Sequence, residues 1–237
     1  MIRGLWMQIT GAAQDRHCLP RLLWLSTSAP GRGWARGLLY LAAVHRASHS
    51  ERLMTSSDIV DAEQFWRLIE DARRQVPDAT DGEAVAARAI ALLSAYPRDE
   101  IVAAGPVLRQ LLAESYRSPL WAAAYMLNGG CSNDGFDYFR GWLLVQGREV
   151  FEQIVADPDA LADLPVIRAE RPGAARLECE DALYIASLAH RKATGEDYPD
   201  CVFTIRYPEL DPAWDFDFGD RSEMKWRLPR LAALCLD

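Results

Sequence analysis

The sequence predicts an all-α protein: a compact, bundle-like multi-helix domain followed by an irregular C-terminal tail. Between Ala62 and Gly195, apolar residues recur at helical spacing in segment after segment, and proline, glycine or aspartate marks the segment ends. Hydrophobic residues make up 50% of the 237-residue chain, enough for a sizeable core. Only Cys201–Tyr207 (CVFTIRY) alternates in the β-branched manner of a short strand or extended tail. The expected organisation is an extension over 1–53, a helical domain over 54–200 and a tail over 201–237. The extension is expected to be disordered, or to reflect a start placed too early, with Met54 the real first residue.

The elements follow in order. Asp61 or Ala62 opens a first helix to about Val76, with Phe65, Trp66, Leu68, Ile69 and Ala72 inward and Pro77 at its end. A second helix runs from Asp81 to Ala95, with Val85, Ala89, Leu92 and Leu93 inward. Asp99 is expected to cap a third, Glu100–Tyr116, which Pro106 interrupts with a kink. Ser118-Pro119 begins a fourth. After Gly147 another helix reaches Asp157, then a short set of helical turns runs from Pro158 to Leu164. Residues 165–176 read as a loop, because Pro172-Gly173 is a turn signal. Leu177–Lys192 reads as the last core helix, closed by Gly195. The tail is acidic and aromatic over Asp211–Asp220, and Arg221–Leu236 suggests a weak helix with Pro229 near its middle. This tail is expected either to drape over the core through Trp214, Phe216 and Phe218 or to be mobile.

The most informative stretch is Trp121–Gly147, WAAAYMLNGGCSNDGFDYFRGWLLVQG. Leu120–Leu127 is almost continuously apolar and reads as a buried helix. Asn128, Gly129 and Gly130 stop it, since glycine past a helix end adopts the left-handed conformation that closes the last turn. Ser132 or Asn133 then caps a second helix, with Asp134 and Asp137 in its first turns, where carboxylates complement the helix dipole. Apolar residues from Phe136 to Val145 cover most of that helix's circumference, so burial nearly all round is expected. Asp137 lies three residues from both Asp134 and Arg140, within side-chain reach of either. Two readings stand side by side: a capping carboxylate plus an Asp137–Arg140 ion pair, or a polar pocket at the helix start. The candidate ligand-binding residues are Asn128, Cys131, Ser132, Asp134, Asp137 and Arg140.

The pattern W-A-A-A-Y-x-x-N-G-G-C-S-x-D-G-F-x-Y-F-R-x-W-L, Trp121 to Leu143, resembles the signature of the bacterial domain-of-unknown-function family 4240. The resemblance extends from about Ala62 to Gly195 and includes FW-x-L-I-E (Phe65–Glu70) and G-R-E-V-F (Gly147–Phe151). It implies a mainly helical bacterial domain, frequent in actinobacteria, and implies no activity. The family pattern is usually closer to C-S-D-D-G-F. Asn133 stands in place of the first aspartate, which counts against a two-metal site.

Charge narrows the functional classes. The chain carries −8, but residues 1–53 hold seven arginines against Asp15 and Glu51, a local +5, so the remainder stands at −13. An acidic body lacks the basic face that nucleic-acid binding requires. No apolar run approaches the ~18 residues of a membrane span. The cysteines, Cys18, Cys131, Cys179, Cys201 and Cys235, are odd in number and irregular in spacing, which fits reduced thiols in the cytoplasm. Phosphate-loop, dinucleotide, serine-hydrolase and H-E-x-x-H or C-x-x-C metal patterns are all missing from the sequence. His17, His45 and His49 have no suitably spaced partner ligands. His190 near a helix end suits an interaction with free carbonyls better than a general base.

The reading favoured by these features is a cytoplasmic binding or regulatory module with a polar pocket at the NGGCSND corner, taking a protein or small polar ligand. No cofactor, metal, nucleic acid or membrane partner is expected. The alternative is an enzyme in which Cys131 is a nucleophile and Asp134 or Asp137 orients substrate or moves protons, with His190 as partner base if the fold brings it near. A third possibility is a divalent cation or polar ligand on Asn128, Asp134 and Asp137, although two carboxylates make a weak cation site.

Overall fold

A computed structural model describes residues 61–169, 176–199 and 208–236. Among them the regular elements are all helical. The expectations for 1–53, for the strand-like 201–207 and for the Pro172-Gly173 turn lie outside the described residues.

The helices are α1 (Ala62–Arg74), α2 (Gly82–Leu93), α3 (Arg98–Glu114), α4 (Ser118–Leu127), α5 (Asn133–Val145), α6 (Arg148–Ala156), α7 (Pro165–Ala169), α8 (Ile185–Thr194), α9 (Arg221–Arg227) and α10 (Pro229–Cys235). Tight 3₁₀ turns cover Pro158–Asp163, Asp181–Tyr184 and Pro212–Trp214. Asp61 caps α1 in a reciprocal capping box with Gln64, and the Asp81 side chain accepts the Ala84 N–H at the start of α2.

Helix α5 is the hub. It touches α2, α3, α4, α6 and the Asp181–Tyr184 turn. Phe136, Phe139, Leu143, Leu144 and Val145 are fully buried along it, and Trp142 nearly so. Each such side chain contributes about 1.5–3 kcal/mol through burial. Trp121 of α4 stacks on Phe136 at 4.8 Å with the rings 12° apart, which fixes the α4–α5 crossing. Helix α8 packs against both α2 and α3.

Three boundaries differ from the sequence expectation. Helix α3 begins at Arg98 after Pro97, so Asp99 lies in its first turn and does not cap it. Residues 177–180 are not helical, because their backbone bonds outward. Leu177 N–H donates to Asn128 Oδ1 (3.0 Å) and Cys179 N–H to the Tyr138 carbonyl (2.9 Å). This strap lies on α5 at Gly141, where any Cβ would collide with the Cys179 carbonyl. Finally, Pro165–Ala169 forms a short helix inside the expected loop.

The tail is more regular than expected. Pro229 starts α10 and does not interrupt a longer helix, since the N–H that proline lacks has no helical partner in a first turn. Asp159 accepts the Arg230 and Leu231 N–H groups at 3.1 and 2.9 Å, so it caps α10 from a distant segment. Met224, Leu228, Leu231 and Ala232 are buried, and α10 packs on α4 and on Pro158–Asp163. Phe218 meets Tyr125 edge-on at 5.9 Å.

Candidate functional site

The polar corner between α4 and α5 is a joint. Asn128 closes α4, and the Gly130 N–H returns to the Tyr125 carbonyl at 2.8 Å. Gly129 and Gly130 both have positive φ (67° and 128°), which the reversal demands. A Cβ on either would meet open space, so backbone conformation alone calls for glycine there. The Trp121 indole donates to the Cys131 carbonyl at 3.3 Å and ties the corner to α4. Ser132 caps α5 by accepting the Gly135 N–H at 3.1 Å.

The six candidate residues therefore separate. Asn128 is buried and grips the strap through Oδ1, while Ser132 is the helix cap. Asp134 is exposed in the first turn of α5. Arg140 is 1% exposed; it donates to the Leu112 carbonyl at the end of α3 and to Asp137 Oδ1. Its guanidinium also lies over the Tyr116 and Phe136 rings at 5.1 and 5.2 Å. The Asp137–Arg140 pair is thus part of the core, with Asp137 at its half-open end.

Cys131 is half-buried and its Sγ lies 3.7 Å from the Ser132 carbonyl. Burial, then the nearby Glu178 carboxylate, pushes the thiol up to about 11, with Arg176 opposing. The carboxylates that act on it are Glu178 and Asp137; solvent-exposed Asp134 is not among them. Cys179 is pushed up to about 12, mainly by burial. His190 is fully buried on α8, where its ring meets Arg98, the Glu196 carbonyl and Tyr198. Arg98 Nε donates to its Nε2 at 3.3 Å, and Nδ1 lies 3.3 Å from the Glu196 carbonyl. Among the described residues no three histidine, cysteine or acidic side chains converge as a metal site. No described helix is long and apolar enough to cross a membrane.

Of the six, Asp137 lines a cleft among the described residues. It opens between α3, α8 and the Asp181–Tyr184 turn, with a volume of about 230 Å³. Arg109, Tyr184, Ser187 and Tyr198 complete its polar rim, over a base that includes Leu108, Leu112 and Leu183. A neighbouring hollow of about 440 Å³ shares Tyr184, Ser187 and Tyr198. A larger depression of about 630 Å³ lies at the α3–α4 turn. Its charged groups, Glu114, Arg117, Glu209 and Asp211, are all exposed, so water weakens any ionic contact there. Asp137 and Arg109 are half-buried and better placed.

Tyr198 builds the wall of the cleft by an unusual route. Pro106 in the middle of α3 has no N–H, which leaves the Val102 carbonyl without its helical donor. The Tyr198 hydroxyl takes that place at 2.7 Å. Gly105 makes room, since a Cβ there would lie 3.0 Å from the Tyr198 ring carbon bearing the hydroxyl. His190 packs edge-on against the same ring at 5.6 Å. Reading the sequence missed Arg109, Tyr184, Ser187 and Tyr198. The adjacent Gly105-Pro106 was the available signal, because an interior proline always leaves a carbonyl for something else to satisfy.

The fold and cleft define an all-helical domain organised around α5, with a small charged cleft on its α3–α8 side. A family model described as "Protein of unknown function (DUF4240)" matches residues 60–192, and the chain belongs to that family. No curated protein and no solved structure matches the chain.

Proposed function

We propose that this protein is a cytoplasmic bacterial binding module that holds a small polar ligand in the α3–α8 cleft. One observation carries the reading: Asp137 and Arg109, opposite in charge and both half-buried, line a single cleft between packed helices. Charged groups in such a setting interact more strongly than on an open surface. The stretch first singled out by sequence supports this cleft through Arg140, which is held at the end of α3 and in turn holds Asp137. Free thiols at Cys131, Cys179 and Cys235 fit a reducing compartment. The raised thiol of Cys131 works against a nucleophilic role, because the thiolate is the reactive form.

A thermal-shift screen of the full chain against soluble metabolites tests the reading. A ligand at about 100 times its Kd adds about 2.7 kcal/mol of stability. For a domain of this size that is a rise of about 5–10 °C. Ser187→Trp, which fills the cleft, is expected to abolish the rise. An equal shift in that variant, or no stabilising ligand in the panel, refutes the reading.

A further inference from the structure

We propose that the C-terminal tail, residues 214–236, is a detachable cover over α4. It leaves the body as one unit, and the ion cluster of Arg230 with Asp157, Asp159 and Asp163 is the latch that holds it. This device is independent of the α3–α8 cleft.

The tail is tied to itself. Arg221, at the start of α9, donates to the Leu236 carbonyl just past the end of α10. Arg227 lies over the Trp214 and Phe216 rings, 4.8 Å from each centroid, and donates to Glu223 at 3.0 Å. These contacts join residues 214–236 into one piece. Helices α9 and α10 have seven residues each, too short to persist in water without docking. Undocking and melting of the tail are therefore one event.

The attachment is narrow. Helix α10 packs on α4 and on Pro158–Asp163, and the apolar side chains that the tail buries are Met224, Leu228, Leu231 and Ala232. A hollow of about 290 Å³ remains between the tail and α4, lined by Tyr125, Met126, Phe218, Met224 and Cys235 among others. Apolar surfaces across such a gap forgo part of their dispersion contact. Charge makes up the difference. Arg230 reaches Asp157 at 2.6 Å, Asp159 at 3.2 Å and Asp163 at 2.6 Å. The Asp159 side chain is only 10% exposed and also accepts the Arg230 and Leu231 N–H groups, so it holds both the guanidinium and the helix start. Without Arg230 this buried carboxylate loses its ion-pair partner, which is costly for a charge held away from water. Release of the tail uncovers Tyr125 and Met126 on α4.

Hydrogen exchange of the full chain, read by mass spectrometry, tests the cover. After correction for intrinsic rates, amides in Arg221–Arg227 and Pro229–Cys235 are expected to exchange at least about 100-fold faster than those in Asn133–Val145, because opening the tail leaves the core around α5 intact. Arg230→Met is expected to speed tail exchange by about tenfold more, the scale of one lost charged hydrogen bond, with α5 unchanged. Cys235 lines the hollow, so its alkylation by iodoacetamide should rise in step with tail exchange, while fully buried Cys179 stays protected. A common exchange rate for the tail and α5 overturns the cover, since the tail would then open only with the whole fold. Fast tail exchange with Cys235 as inert as Cys179 overturns it too, because single amides would be fraying without release. Should Arg230→Met fail to fold, Arg230→Lys, which keeps a charge but not the fork that reaches three carboxylates, is expected to speed tail exchange as well. Unchanged tail exchange in the folded variant, or an equal gain in α5, overturns the latch.

Discussion

The contact between Tyr198 and Val102 yields a sharp energetic test. Tyr198→Phe keeps the half-buried ring and its edge contact with His190 but removes the hydroxyl. The Val102 carbonyl then has neither the tyrosine nor a helical N–H, because position 106 is proline. Leaving a desolvated acceptor unpaired costs about 1–3 kcal/mol. Val102 is only half-buried, so the lower part of that range applies, about 1–2 kcal/mol. For a domain of this length the melting temperature should fall by about 2–8 °C.

Pro106→Ala turns this into a cycle. Alanine restores an N–H that reaches the Val102 carbonyl along the helix, so the tyrosine hydroxyl ceases to be its sole donor. Tyr198→Phe should then cost at least about 1 kcal/mol less in the Pro106→Ala background than in the native one. Urea unfolding followed by tryptophan fluorescence measures all four corners. Additivity within about 0.5 kcal/mol, the ordinary tolerance for independent sites, would refute the claim that the two residues answer for one carbonyl.

Two further outcomes follow from the packing of the strap and the environment of Cys131. Gly141→Ala sets a Cβ against the Cys179 carbonyl, backbone against backbone, and should destabilise by about 3 kcal/mol in urea unfolding, while a near-neutral result would mean the strap does not lie on α5 there. Alkylation of native Cys131 by iodoacetamide should reach half its limiting rate near pH 11, well above the ordinary thiol range, because a raised pKa keeps the sulfur protonated at neutral pH; fast reaction at pH 7 would revive the nucleophile.

Much of the fold is written locally in the chain. Asp61 and Asp81 cap helices that their positions announce, and the apolar faces of α1, α2 and α5 are the buried ones. The Asn128–Gly130 corner and the Ser132 cap are likewise local events, settled within a few residues. What the sequence hid depends on distant partners. Leu177–Glu180 has the composition of a helix start, yet Asn128 and Tyr138 draw its backbone into a strap. Asp159 caps a helix that begins 70 residues later, and no spacing rule reaches that far. The cleft belongs to the same category. Arg109 and Tyr198 come from α3 and from beyond α8, and neither sits in a motif of its own.

The polar residues of the corner look like a site in the sequence because helix ends and sites use the same chemistry. Both need short oxygen-bearing side chains, glycines and a buried charge. Here Asn128, Gly130 and Ser132 complete helix ends and the strap. Arg140 completes the end of α3 through the Leu112 carbonyl and is held between aromatic faces. Once fixed, that guanidinium grips one oxygen of Asp137, and Asp137 lies on the cleft wall. Removing Arg140 would therefore act at two levels, loosening the α3–α5 contact and freeing the one charged candidate residue that reaches the cleft. The stretch that reads most clearly in the sequence sets the geometry, and the binding chemistry is completed by residues that only the tertiary fold brings beside it.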